Sequence, residues 1–99
     1  MPIRKFSNGK FTVKRFTASW CQPCKQLAPV FSELQNEMTN EATPVVFQTI
    51  DVDENRDAAA AANVSSVPTV IFEKDGQQVY RFSGVLPKSV IAGHIRKFL

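Results

Sequence analysis

The reading of this chain turns on Phe16-Thr17-Ala18-Ser19-Trp20-Cys21-Gln22-Pro23-Cys24-Lys25-Gln26-Leu27-Ala28-Pro29-Val30-Phe31. The stretch begins in a run from Phe11 to Ala18 whose Phe, Thr and Val residues predict a strand. It ends inside a segment from Cys21 to Met38 where Leu27, Phe31, Leu34 and Met38 recur at helical spacing on one face. Pro29 interrupts that pattern and is expected to bend the helix. Between the two elements stand both cysteines of the chain and its single tryptophan. A Cys21–Cys24 bridge closes a ring of about four residues, worth about 2 kcal/mol of chain entropy before strain, less than longer loops give. The pair is a weak staple, easily reduced, and reads as chemistry.

Outward from the cysteines, "TNEATP" (39–44) reads as a loop. Val45 to Val52 reads as a second apolar strand, dense enough for a strand covered on both faces. Asn55 to Asn63 is alanine-rich and helical. Val70 to Glu73 and Val79 to Phe82 flank Asp75-Gly76, a strong hairpin signal. A last amphipathic helix opens at Pro87, with Ser89 as its candidate cap, and carries Ile91, Ile95 and Phe98. The first half is βαβ, which implies parallel strands and a right-handed crossover. The second half is a hairpin and a helix. The fold class is therefore α/β, a mixed sheet with helices on both faces. At the start, Asn8-Gly9 signals another hairpin, which would fold a short strand at 3–6 back onto the next one.

With 99 residues the chain is expected to form one domain, residues 1–99. Its hydrophobic content of 43%, with eight phenylalanines, is that of a globular protein. No apolar run approaches the roughly 20 residues that cross a bilayer, so no membrane association is expected. "MPIRKFSNGK" has no signal-peptide core, and a cytoplasmic location is the expectation. The net charge of +3 comes from lysines and arginines near both ends. These read as solvated residues able to steer acidic partners. No basic stripe is interleaved with exposed aromatics, so nucleic acid is not an expected partner.

Cys21 falls at the junction of strand and helix, where free backbone N–H groups carry partial positive charge. A thiolate there is stabilised, and thiolate is the nucleophile. Cys24 lies one turn on, within reach of a mixed disulfide held at Cys21. Pro23 suits the first helical turn and stiffens the ring joining the sulfurs. Trp20 offers a flat apolar contact to a partner chain. A structural zinc site would need two more ligands, and His94, far along the chain, is the only other strong candidate. His94 reads as a helix-face residue, and no metal or cofactor is expected. A pair of buried, inert cysteines is disfavoured by the polar neighbours Ser19, Gln22 and Lys25.

These residues resemble the thioredoxin family, whose usual motif is W-C-G-P-C-K with an alanine-proline pair downstream. The likeness continues through "IDVDEN", "VPT" at Val67-Pro68-Thr69, and "IFEKDGQQVYRFSG". It spans residues 11 to 99 and implies the thioredoxin-like fold. By resemblance, Cys21 is the attacking cysteine and Cys24 the resolving one. The bond before Pro68 is then cis, and the Val67 backbone pairs with a bound partner. Trp20, Pro23, Val67, Pro68 and Gly84 would form the substrate-binding platform.

Three departures from the family stand out. Gln22 replaces the usual glycine between the cysteines, where residues tune the redox potential. Arg15 stands where the family keeps a partly buried acid, six residues before the nucleophile, and Thr49 stands where it keeps a lysine. Arginine cannot serve as a base at neutral pH, but its charge favours a nearby thiolate. Arg15 is therefore read either as a pKa-tuning residue for Cys24 or as a solvent-pointing one. Finally, ten residues cannot hold the family's first strand and helix, so that helix is expected to be absent. Lys14 and Arg15 would then fit a more thinly covered sheet.

The expected function is a protein dithiol–disulfide oxidoreductase. It would act as a monomer on disulfide-containing proteins and be recharged by a thioredoxin reductase or equivalent donor. The alternatives are a glutaredoxin-like, glutathione-dependent reductase and a non-enzymatic, thioredoxin-like binding subunit.

Overall fold

The computed structural model describes residues 10–38 and 45–99. In chain order these form β1 (Phe11–Thr17), α1 (Gln22–Met38), β2 (Val45–Asp51), α2 (Arg56–Ala61), β3 (Thr69–Lys74), β4 (Gln77–Ser83) and α3 (Lys88–Phe98). The sheet order is β2-β1-β3-β4. β1 and β2 run parallel, joined through α1, while β3 is antiparallel to both β1 and β4. This is the mixed sheet that the βαβ and ββα halves predict. The Asn8-Gly9 hairpin, the strand at 3–6 and the "TNEATP" loop lie outside the described residues.

Strand alternation sorts side chains into two layers. Phe11 and Val13 of β1 and Val70 and Phe72 of β3 face α1 and α3, where Leu27, Phe31, Leu34, Ile91 and Ile95 complete the larger core. Phe16, Ile50 and Ile71 face the other way and meet Ala59 of α2. Phe72 anchors the first layer: its ring lies 5.5 Å from those of Phe11 and Tyr80, and 6.3 Å from that of Phe98. Helices thus cover both faces, unequally. Beside the short α2, a groove of about 410 Å³ is bordered by Lys14, Phe16, Ile50, Ile71 and Glu73.

That groove corrects one expectation. Lys14 and Arg15 do not share a thinly covered face. Lys14 borders the groove, paired with Glu73 at 3.0 Å, while Arg15, one residue on, reaches Phe31 of α1 on the opposite side. A period of two forbids both from serving one face.

Other differences are local. β2 is an edge of the described sheet, half-buried with Gln48 and Thr49 exposed, rather than covered on both faces. α1 continues through Pro29. α2 is shorter than the expected Asn55–Asn63 segment because Asn63 turns left-handed at φ +56°. The N–H groups of Asn63 and Val64 then bond back to Ala60 and Ala59, a Schellman ending. At α3 the cap position belongs to Pro87, whose carbonyl accepts from Val90 and Ile91, so Ser89 lies inside the first turn. The Asp75-Gly76 hairpin forms with both residues at positive φ, as a type I′ turn requires. Val79 is the extra residue where the β3–β4 register shifts.

Candidate active site

β1 ends at Thr17, and a turn carries the chain over Ala18, Ser19 and Trp20 to the head of α1. The Cys21 N–H closes the turn on the Ala18 carbonyl, 3.2 Å away. The helix begins at Gln22, so Cys21 is its cap rather than its first residue. Its carbonyl receives the first helical hydrogen bond, from Lys25. Its sulfur accepts the backbone N–H of Cys24 at 3.2 Å. Sulfur here takes the place that a serine or aspartate oxygen fills at ordinary helix starts. A negative charge on that sulfur meets both a donor and the positive end of a 17-residue helix. Pro23, second in the helix, gives up an N–H that has no partner in the first turn anyway.

The two sulfurs are joined, with the Cα atoms 5.2 Å apart. Ala18, Val52 and Val67 wall them in, leaving Cys21 4% and Cys24 1% exposed. The polar neighbours therefore do not keep the cysteines open: Ser19, Gln22 and Lys25 are exposed while an apolar wall covers the sulfurs. The covered pair sits beside an exposed approach surface, for Trp20 is 66% exposed and Pro23 is exposed as well.

The loop from α2 to β3 supplies the other wall. The Val67–Pro68 bond is cis. The Val67 carbonyl oxygen lies 3.7 Å from the Cys21 sulfur. In the disulfide no S–H exists, so this is a contact, and only the thiol can make it a hydrogen bond. The Pro68 carbonyl accepts from the Gly84 N–H at 2.9 Å, where Gly84 turns at φ +90°. The Thr69 hydroxyl donates to Ser66 O at 2.7 Å. Trp20, Val52, Val64, Ser65, Ser66 and Val67 line a pocket of about 130 Å³. The structure thus sets Val67 against the Cys21 sulfur, with Trp20 sharing its pocket and Gly84 bonded to the neighbouring Pro68.

Sequence reasoning missed Asp53. Its Oδ2 accepts the Trp20 indole N–H at 2.8 Å and fixes the ring's direction. Asp51 holds that carboxylate in place, since its Oδ1 accepts the N–H groups of Asp53 and Glu54. "IDVDEN" carries the turn chemistry, but nothing in it points to a tryptophan 33 residues upstream.

Arg15 is half-buried. Its guanidinium sits 5.5 Å from the Phe31 ring centre, and Nη2 donates to Thr49 Oγ1 at 3.1 Å. Nε is buried without a hydrogen-bond partner. Desolvation lowers its pKa from the ordinary value. The solvent-pointing reading of Arg15 does not hold. His94 rests against Tyr80, with ring centres 4.8 Å apart. Among the described residues no helix is long and apolar enough to cross a membrane.

A capped cysteine pair at a helix head, walled by a cis-proline loop, defines the class of thiol–disulfide oxidoreductases. The Thioredoxin family model matches residues 3–97. Thioredoxin-2 of Saccharomyces cerevisiae is 40% identical over 84 residues, covering 85% of this chain and 77% of that protein. Thioredoxin of Bacillus subtilis is 42% identical over 84 residues, covering 85% and 78%. The X-ray structure of Fasciola hepatica thioredoxin superposes with a TM-score of 0.82 at 37% identity, over 93% of this chain and 84% of that one. The chain belongs to the thioredoxin family and is a protein disulfide oxidoreductase. Nothing in these comparisons favours the glutathione-dependent or the non-enzymatic alternative.

Proposed function

We propose that Cys21 is the attacking sulfur and Cys24 the resolving one, in a single domain that reduces disulfides of partner proteins. The observation that carries this is the Cys24 N–H held 3.2 Å from the Cys21 sulfur at the head of α1. It singles out Cys21 as the sulfur whose negative charge the backbone stabilises.

The Cys21 thiolate attacks one sulfur of the partner's disulfide, and the other partner sulfur leaves as thiolate. Cys24 then gives up its proton and attacks the Cys21 sulfur. The second partner sulfur departs, and Cys21–Cys24 is left oxidised. Two electrons have passed to the partner, and a thioredoxin reductase or equivalent protein donor returns them. Trp20, Pro23, Val67, Pro68 and Gly84 present the surface on which the partner's extended chain lies, with the Val67 backbone as its pairing edge. The apolar pocket beside Trp20 suits a flanking side chain of the partner.

Arg15 tunes the second step. Cys24, Leu27 and Phe31 share the buried stripe of α1, which spans about 10 Å from first to last. A cation over Phe31 lies on the same buried stripe as Cys24, and its charge favours the Cys24 thiolate at longer range. We assign the chain to the cytoplasm, as a monomer.

The test is a reductase-coupled insulin-reduction assay, alongside alkylation of each thiol against pH. Turnover with a Cys21 pKa below that of a free thiol is the expected result. Two thiols titrating like free cysteine would sink the assignment.

A further inference from the structure

Arg81 of β4 lies on the face of the sheet that carries α2, opposite Ile71 in the β3–β4 register. Its guanidinium spans the end of α2: Nη2 donates to the Ala62 carbonyl and Nη1 to the Asn63 carbonyl at 3.3 Å. Gln78 Oε1 accepts from Nη2 at 3.1 Å and orients the fork. The Schellman ending already satisfies the carbonyls of Ala59 and Ala60. The carbonyls of Ala62 and Asn63 take no part in those two bonds, and a cation beside them is favoured by the helix dipole.

The next four residues are Val64, Ser65, Ser66 and Val67, which line one side of the pocket facing Trp20. The last of them sets its carbonyl 3.7 Å from the Cys21 sulfur. The segment is fastened at its far end by Thr69, through the Ser66 carbonyl. At its near end the chain reverses through Asn63 in the left-handed region, and the Arg81 fork grips that reversal from another strand.

We infer that Arg81 is a positioning residue for partner binding: it fixes the start of segment 64–67 and so holds the Trp20–Val67 pocket at the width that receives the partner's chain. It touches neither sulfur nor partner. The inference rests on the assignment of Cys21 as the attacking sulfur. Arginine is required because a planar fork reaches two carbonyls at once, which a lysine ammonium cannot do in fixed geometry.

The test is steady-state kinetics of Arg81→Ala and Arg81→Lys on two disulfides, insulin and a small aromatic disulfide that needs only the sulfurs. In both variants KM for insulin should rise about tenfold or more, the scale of one lost charge-assisted hydrogen bond. The kcat for insulin and the rate on the small disulfide should change less than about twofold. An unchanged KM for insulin, or equal losses on both disulfides, would overturn the positioning role. Should Arg81→Ala fail to fold, Arg81→Lys carries the same comparison, since it keeps a charge at the helix end. A parent protein inactive on both disulfides would remove the oxidoreductase reading, and this inference with it.

Discussion

Arg15 in β1 donates through Nη2 to the Thr49 hydroxyl of β2, 3.1 Å away, and the two residues are direct partners in the parallel register. These are the positions where the family resemblance implies an acid and a lysine. An ion pair has become a cation bonded to a neutral hydroxyl. Net positive charge is therefore left beneath α1, beside the ring of Phe31. An uncompensated, partly desolvated charge opposes folding and favours an anion, and the two effects can be measured separately.

Arg15→Ala should raise the Cys24 pKa and slow release of the mixed disulfide, followed by stopped-flow resolution against pH. Arg15→Met should leave the protein at least as stable as the parent. It removes a desolvated charge and an unpartnered Nε. Solvent screening of the half-exposed side chain keeps the gain below about 1 kcal/mol. Because arginine stays protonated in both states, this difference should not vary with pH across the neutral range. An Arg15→Ala protein with unaltered thiol titration would end the tuning role.

Cys24→Ser should accumulate a stable mixed disulfide between Cys21 and a partner protein, seen as a covalent adduct on non-reducing gels and by mass. Cys21→Ser should form none. Adducts formed equally by both variants would remove the assignment of roles, since burial alone does not separate the two sulfurs.

Asp53→Ala should free the Trp20 ring, because the indole N–H loses an acceptor at 2.8 Å. KM for a protein disulfide should rise about fivefold, the scale of one hydrogen bond of roughly 1 kcal/mol. Trp20 emission should shift with it. Unaltered emission would show that the ring is held by packing instead.

Phe72→Ala should cost about 3–5 kcal/mol in denaturant unfolding, a typical loss for a buried aromatic ring. Phe72 is fully buried and touches the rings of Phe11, Tyr80, Phe82 and Phe98. A loss under about 1 kcal/mol would mean the core closes over the gap.

Lys88 joins α3 to α1 through Glu37 and Glu33. Hydrogen bonds to Glu37 and then Glu33 raise its pKa above the ordinary 10.5. A cation with a raised folded-state pKa lends stability that is whole below the unfolded value and fades as pH climbs through the folded one. The melting difference between the parent and Lys88→Met should therefore be flat from neutral pH up to about 10 and shrink above it. The difference should be small, because the ion pairs are exposed.

Much of this was readable from residues near one another in the chain. The stripe Leu27, Phe31, Leu34 and Met38 marks α1 because one helical face is buried and the other is wet. Asp75-Gly76 marks its hairpin because few other residue pairs accept two positive φ angles. The cysteine pair marks the site because so small a ring has little use as a staple. What escaped depends on partners far apart in sequence. Trp20 with Asp53, Arg15 with Thr49 and Arg81 with Ala62 are each separated by 19 to 34 positions. The alternation that placed Arg15 over Phe31 was available from β1 itself. Two adjacent basic residues mask it, because together they resemble one patch. Ser89 suits a cap by residue type, while the geometry gives that position to Pro87.

Cys21 has two duties on one atom, since the sulfur that trades electrons also closes the end of α1. As an anion it is a strong acceptor, and the first turn is firmly seated. In the disulfide the sulfur is neutral, and it still accepts the Cys24 amide at 3.2 Å, as a weaker acceptor than the anion. Reduction to a Cys21 thiolate would therefore seat the first turn of α1 more firmly than the disulfide does.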